Sequence, residues 1–248
     1  MRAFDLTDRV GIVTGAARGI GAAAAEALTE AGARVLLADS NAGRLTERAA
    51  ALPGAVASII DVTKADDMTR MVEEALAAFG RIDVLVCSAG VTAPLTIEDT
   101  RLEDWNRVLA VNLTGTFLAC QAVVKAMRAA GTGGRIVLLG SQVSHQGALM
   151  GHVAYAATKG GVVAFAKTLA RATAADRITV NVVAPGLTDT EMLRGAHPPE
   201  EIAEIAARIP LGLGDVADVA AAIVYLASDA ARHITGATID INGGMVMR

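Results

Sequence analysis

Seven short runs of continuous apolar residues recur along the chain, each bounded by glycine or a polar residue: "RVGIVTG", "ARVLLAD", "VASIID", "IDVLVCSAG", "GRIVLLGS", "ITVNVVAPG" and "ATIDING". A half-exposed strand alternates apolar and polar residues, so runs without alternation suit strands covered on both faces. Between them lie alanine-rich segments with helical spacing, at residues 19–31, 42–51, 64–79, 103–130, 153–174 and 215–228; in the last, Val216, Val219, Ala220, Ile223 and Leu226 share one face. Such alternation predicts a doubly wound parallel sheet of seven strands with helices on both faces. A chain of 248 residues with 53% hydrophobic content has core enough for one such domain. No internal repeat, charge block or Pro/Ser-rich linker marks a second. The irregular stretch 185–214 carries four of the 6 prolines and a helical middle at Ile202, Ile205 and Ile209. It reads either as a lid, over about 187–213, or as a plain long loop.

Charge narrows the class of partner. The 22 basic and 26 acidic residues are scattered, with a net charge of -4, which leaves no basic tract for nucleic acid or an anionic membrane. A small-molecule partner is expected. Cys87 and Cys120 lie in apolar surroundings without paired spacing, so they read as buried thiols of a reducing cytosol, not as a disulfide or zinc site. The N-terminus "MRAFDLTDRVGIVTG" breaks its apolar residues with charges, and no apolar run approaches the ~20 residues of a membrane span. These features predict a soluble, cytoplasmic protein. His145, His152 and His197 read as surface or loop residues, and no pair has metal-ligand spacing, so no metal is expected.

The first strand runs into "TGAARGIG", where Gly15, Gly19 and Gly21 open a helix with Ile20, Ala24, Ala27 and Leu28 on its apolar side. Glycines allow close backbone approach, and a helix N-terminus presents free N–H groups to a pyrophosphate. Asp39 closes the second strand. A carboxylate there accepts hydrogen bonds from ribose hydroxyls and repels a 2′-phosphate, favouring NAD over NADP; its alternative is to cap the next helix, which Ser40 or Asn41 is able to do. Arg18 and Arg44 are the cations that would accommodate a phosphate in the NADP case.

In "HVAYAATKGG", Tyr155 and Lys159 stand at i and i+4, on one helix face. A phenol titrates near ~10, and a cation within ~4–6 Å lowers an acid by about 1–3 units, so Lys159 is expected to draw Tyr155 towards proton transfer near neutrality. Ser141 follows "GRIVLLG" at a strand's C-terminal end, where open α/β sheets bind ligands. Its hydroxyl is suited to the substrate oxygen, with Ser144 as the alternative and Gln142 as a further polar contact.

The glycine spacing together with "DVT" at 61–63, "SAG" at 88–90, "VNLTG" at 111–115, "GS" at 140–141, "YAATK" at 155–159, "NVVAPG" at 181–186 and "ITGATIDINGG" at 234–244 resembles the classical short-chain dehydrogenases/reductases over the whole chain. The resemblance implies a Rossmann-type fold and an NAD(P)-dependent oxidoreductase acting on a secondary alcohol or ketone. It implies catalytic roles for Ser141, Tyr155, Lys159 and Asn112, the last opening a helix kink that holds a water behind Lys159. It places the cofactor along Gly15, Arg18, Gly19, Ile20 and Gly21, its adenine against Asp61 and Val62, and its path by Ser88, Ala89 and Gly90. "APGLTDT" would cover the nicotinamide, with Pro185 and Gly186 shaping the turn and Thr188 or Thr190 bonding the carboxamide. Gln142, His152, Met192 and Leu193, with His197 beyond them, would face the substrate. Homotetramers are implied through 103–130, 153–174 and 237–248, with Val162 and Val163 either at the partner or in the chain's own core.

Two departures stand out. Cys87 and Ser88 replace two asparagines of many relatives, and the separation of Ser141 from Tyr155 is one residue longer, implying an insertion in "QVSHQGALMGH". An NADPH-dependent 3-oxoacyl-thioester (acyl carrier protein) reductase is a rival reading, because the motif layout is close to theirs. A cofactor-binding regulatory or scaffold protein is the rival outside enzymology. The substrate is not named by these residues.

Overall fold

The computed structural model describes residues 4–148 and 151–247. Residues 1–3 of the N-terminal segment, Leu149 and Met150 of the proposed insertion, and Arg248 of the C-terminal assembly segment lie outside the described residues. The strands are β1 (Val10–Thr14), β2 (Arg34–Asp39), β3 (Val56–Ile59), β4 (Val84–Cys87), β5 (Gly134–Leu139), β6 (Ile178–Pro185) and β7 (Thr238–Ile241). All pair in parallel, in the order β3-β2-β1-β4-β5-β6-β7. Every residue of β1, β4 and β6 is buried, as the unbroken apolar runs require. Strand order reverses between β1 and β4, so the loops after these two strands part and leave a cleft at their carboxyl ends.

The helices are α1 (Gly19–Glu30), α2 (Ala42–Ala51), α3 (Ala65–Phe79), α4 (Leu102–Leu109), α5 (Gly115–Ala130), α6 (Val143–Gln146), α7 (Val153–Thr173), α8 (Glu191–Ala196), α9 (Pro199–Ala206) and α10 (Val216–Ala227). They form two layers because successive strand residues point to opposite faces. In β5, Ile136 and Leu138 pack with Met71, Val123, Met127 and Val162 of α3, α5 and α7. Val137 and Leu139 pack on the other face, with Leu28, Leu45, Val219 and Ile223 of α1, α2 and α10.

The helical segment expected over 103–130 runs from Leu102 to Ala130, and the kink expected at Asn112 is a π-helical turn, Ala110–Thr114, that joins α4 to α5. By length and a hydropathy of 1.5 this stretch would also meet the membrane-span requirement that the sequence denied to every segment; Ala119, Cys120, Val123, Val124 and Met127 are instead buried against the sheet. Val162 and Val163 are core residues, 1% and 5% exposed, and not at a surface open to a partner.

The amino end of the sheet is tied by charge. Buried Asp83 accepts from the Val10 amide at 2.9 Å and from Arg81 Nε at 2.8 Å, with Arg9 at 3.4 Å. Asp229 then links Arg9 and Arg135 from the opposite side.

Candidate active site

The turn after β1 is built so that only glycine fits. Gly15 and Gly19 have φ of 70° and 57°, in the left-handed region that side chains disfavour. A Cβ on Gly15 would lie 2.7 Å from the Ala89 backbone, and one on Gly21 would collide with the Gly15 carbonyl oxygen. No side chain caps the start of α1, so its first N–H groups face the cleft unsatisfied, a setting for an anion. Beside them, Asp39 Oδ2 accepts from the Ala17 amide at 3.1 Å and Oδ1 from the Asn41 amide at 2.9 Å. Asn41 caps α2, accepting from the Arg44 amide, which leaves Asp39 at the turn. This cradle, uncapped helix and adjacent carboxylate fit a dinucleotide.

A cleft of about 1050 Å³ opens on that turn. It is lined by every residue that the resemblance places along the cofactor, from Gly15 through Asp39, Asp61, Val62, Ser88, Ala89 and Gly90 to Pro185, Gly186, Thr188 and Thr190, and also by Ser141, Tyr155 and Lys159, whereas Arg44 is not among the lining residues. Asp61 shapes its own loop, accepting from the amide and hydroxyl of Thr63. Thr190 Oγ1 accepts from the Leu193 amide at 3.2 Å and so caps α8, while the Thr188 hydroxyl donates to the Gly186 carbonyl at 3.4 Å.

Ser141, just past β5, and Tyr155 and Lys159, one turn apart on α7, converge in the cleft wall. Lys159 is buried and donates to the Leu139 carbonyl at 2.6 Å, with Nζ 5.5 Å from the centre of the Tyr155 ring. Burial draws its ammonium down to about 8, against a weak opposing bias from the Cys87 thiol. Burial pushes the Tyr155 phenol above its ordinary range, and a hydrogen bond with Ser141 is what opposes it. The expectation that Lys159 would lower this phenol is not met in the enclosed site: burial outweighs the opposing contact, which is the hydrogen bond with Ser141. Ser144 does not compete with Ser141 for the same space; its hydroxyl accepts from the Ser141 amide at 3.1 Å and supports the turn.

Asn112 does not line the cleft. Its side chain accepts from the Val91 amide at 2.8 Å and donates to the Val91 carbonyl at 2.9 Å and to Thr158 Oγ1 at 3.2 Å. From the π-helical turn it thus pins the loop after β4 to α7. Gly115, at the end of that turn, is needed for a different reason than the kink: a Cβ there would lie 2.8 Å from Val62 Cγ2. Cys87 and Cys120 are free and buried. A thiol-to-thiol hydrogen bond, with burial, holds Cys120 well above the usual thiol range, a setting opposite to that of a reactive thiolate.

The substrate end combines polar and apolar residues, among them those expected to face the substrate, Gln142, His152, Met192, Leu193 and His197. His152 takes φ 55° ahead of α7, and its Nδ1 is 2.9 Å from Thr92 Oγ1. Its ring centre is 5.9 Å from that of His197, which pairs with Glu201 at 3.1 Å. Burial, then the neighbouring His197, holds His152 below the ordinary imidazole range. Gln142 Oε1 is buried here without a hydrogen-bond partner among the described residues. Met192 and Leu193 also line this end. Thr92, Glu191, Glu201 and Arg208 line the cleft unannounced by any motif; only the proximity of Glu191 to the Thr190 cap was a signal available beforehand.

A family model described as enoyl-(acyl carrier protein) reductase matches residues 15–246. D-threitol dehydrogenase of Mycolicibacterium smegmatis is 42% identical over 250 residues, covering 99% of this chain and 95% of that protein. The 3-oxoacyl-[acyl-carrier-protein] reductase of Escherichia coli K12 is 39% identical over 243 residues, 96% of this chain and 98% of the other. Among solved structures, a short-chain type dehydrogenase/reductase from Mycobacterium marinum superposes with a TM-score of 0.95 at 34% identity, covering 99% and 98% of the two chains. With a family model over residues 15–246, relatives at 39% and 42% identity over nearly the whole chain and the same fold in a solved relative, the chain belongs to the classical short-chain dehydrogenase/reductase family of oxidoreductases.

Proposed function

We propose that this oxidoreductase interconverts a small, polar secondary alcohol and its ketone with NAD(H), using Tyr155 as general acid/base. The observation that carries the reading is the convergence of Ser141, Tyr155 and buried Lys159 in the same cleft as the glycine turn and Asp39. Bound nicotinamide supplies the hydride chemistry. Ser141 holds the substrate oxygen; Tyr155 takes its proton during oxidation and returns one during reduction. Lys159 orients the phenol and, with a value of about 8, exchanges protons near neutrality. Asn112 positions the loop at Val91 and the Thr158 turn of α7. Asp39 selects NAD through the ribose hydroxyls, while Thr188 and Thr190 flank the nicotinamide, and α8 with α9 forms the lid.

The polar wall of Gln142, His152, His197, Glu201 and Thr92 supports a substrate with several hydroxyls, in keeping with the relative named D-threitol dehydrogenase. A 3-oxoacyl thioester is the second reading, favoured by the similarity to the reductase of Escherichia coli. A cytoplasmic homotetramer is proposed with either. The test is a panel of polyols, hydroxy acids and 3-oxoacyl thioesters followed by NADH and NADPH absorbance. On the best substrate, Tyr155→Phe should lower kcat by about 10²- to 10⁴-fold; parental activity in that variant would remove the mechanism.

A further inference from the structure

The first residue of α8, Glu191, faces the adenosine end of the cleft, where alcohol chemistry has no use for a carboxylate. Its two oxygens accept from Arg44 Nη1 at 2.9 and 2.8 Å, and Oε2 accepts from Arg18 Nη1 at 3.1 Å. Three segments remote in sequence meet at this one group: the glycine turn, α2 and the lid. Glu191 is held there by the Thr190 cap, and the Thr190 methyl lies 3.8 Å from where a Cβ of Gly19 would be. The hydrogen bonds from Arg44 and then Arg18 hold the Glu191 carboxyl below the usual range, so it is ionised at neutral pH. Guanidinium groups are the preferred ligands of phosphate, and Arg18 borders the same cleft as Asp39.

We propose that Glu191 is a cofactor-specificity residue: by occupying Arg18 and Arg44 it withholds both cations from a 2′-phosphate, reinforcing the repulsion from Asp39. The same contacts tie the lid to the glycine turn and to α2, so lid position and cofactor choice meet at one carboxylate. This rests on the reading that the adenosine end of the dinucleotide lies beside Asp39. Exposed ion pairs add little to stability, so the effect belongs in selectivity and not in melting temperature.

The test uses the full chain and Glu191→Gln, with equilibrium binding of NAD⁺ and NADP⁺ beside kcat/KM for each. The variant should raise NADP⁺ affinity relative to NAD⁺ by roughly fivefold, a gain that shrinks with added salt. Combining it with Arg44→Gln should remove most of that gain. An unchanged NADP⁺/NAD⁺ ratio, or an equal shift for both cofactors, overturns the proposal. A parent enzyme that prefers NADP⁺ would fail the role given to Asp39 separately; Glu191→Gln should still strengthen NADP⁺ binding in that case, and weaker binding would overturn the role of Glu191.

Discussion

Lys159 joins chemistry to stability through its burial. Its ammonium stands at about 8 in the fold against 10.5 for the free side chain, so between those values the unfolded chain binds more protons. Stability therefore rises with pH across that window, by up to about 3 kcal/mol for this one group. Tyr155, raised above 10.0, acts in the opposite sense and only at higher pH. Lys159→Met should flatten the rise, measured by urea unfolding on either side of the window; an unaltered slope would assign it to other groups. The Tyr155–Lys159 spacing was legible in the sequence because both residues lie on one turn of one helix. The direction of the phenol's shift was not, since it depends on enclosure by elements distant in the chain. Glu191 was equally hidden, because its partners Arg18 and Arg44 arrive from other segments.

At the level of elements, strands and most helix ends were readable from unbroken apolar runs and helical periodicity. The kink at Asn112 was expected from the family resemblance, but its form as a π-helical turn at Ala110–Thr114 was not, because its contacts are tertiary: Asn112 bonds Val91 and Thr158, and Gly115 abuts Val62. Gly115→Ala should overpack this contact and destabilise the fold by about 1–3 kcal/mol. Since Val62 lines the cleft, KM for the cofactor should rise as well. Adding Val62→Ala should recover part of the stability, and a double-mutant cycle by thermal unfolding measures the coupling. Strict additivity would mean the clash is relieved elsewhere. Val162 and Val163 show the limit of reading a helix alone: periodicity marks an apolar face but not which neighbour covers it.

For the whole molecule, the outer faces of α5 and α7 carry an aromatic patch beside exposed polar residues such as Gln121, Lys125 and Lys167. Phe117 is 42% exposed and meets Phe165 edge-on at 6.2 Å, and only 44% of the apolar window in Leu102–Ala130 is buried. If this patch serves the homotetramer proposed above, light scattering should find four chains per particle and Phe117→Glu should yield smaller species; a parent chain that is monomeric would contradict the proposal. The strand order itself was legible only as a class, since alternation implies crossovers but not where they reverse. The ion pairs around Asp83 lie at the amino end of a sheet whose carboxyl end carries the chemistry. Five residues of strand separate the two by roughly 16 Å. The charges that tie the amino end, Arg9, Arg81, Asp83, Arg135 and Asp229, pair with one another and, among the described residues, not with any residue of the cleft, so a change to a reactive group at the carboxyl end leaves the fold's own ion pairs intact.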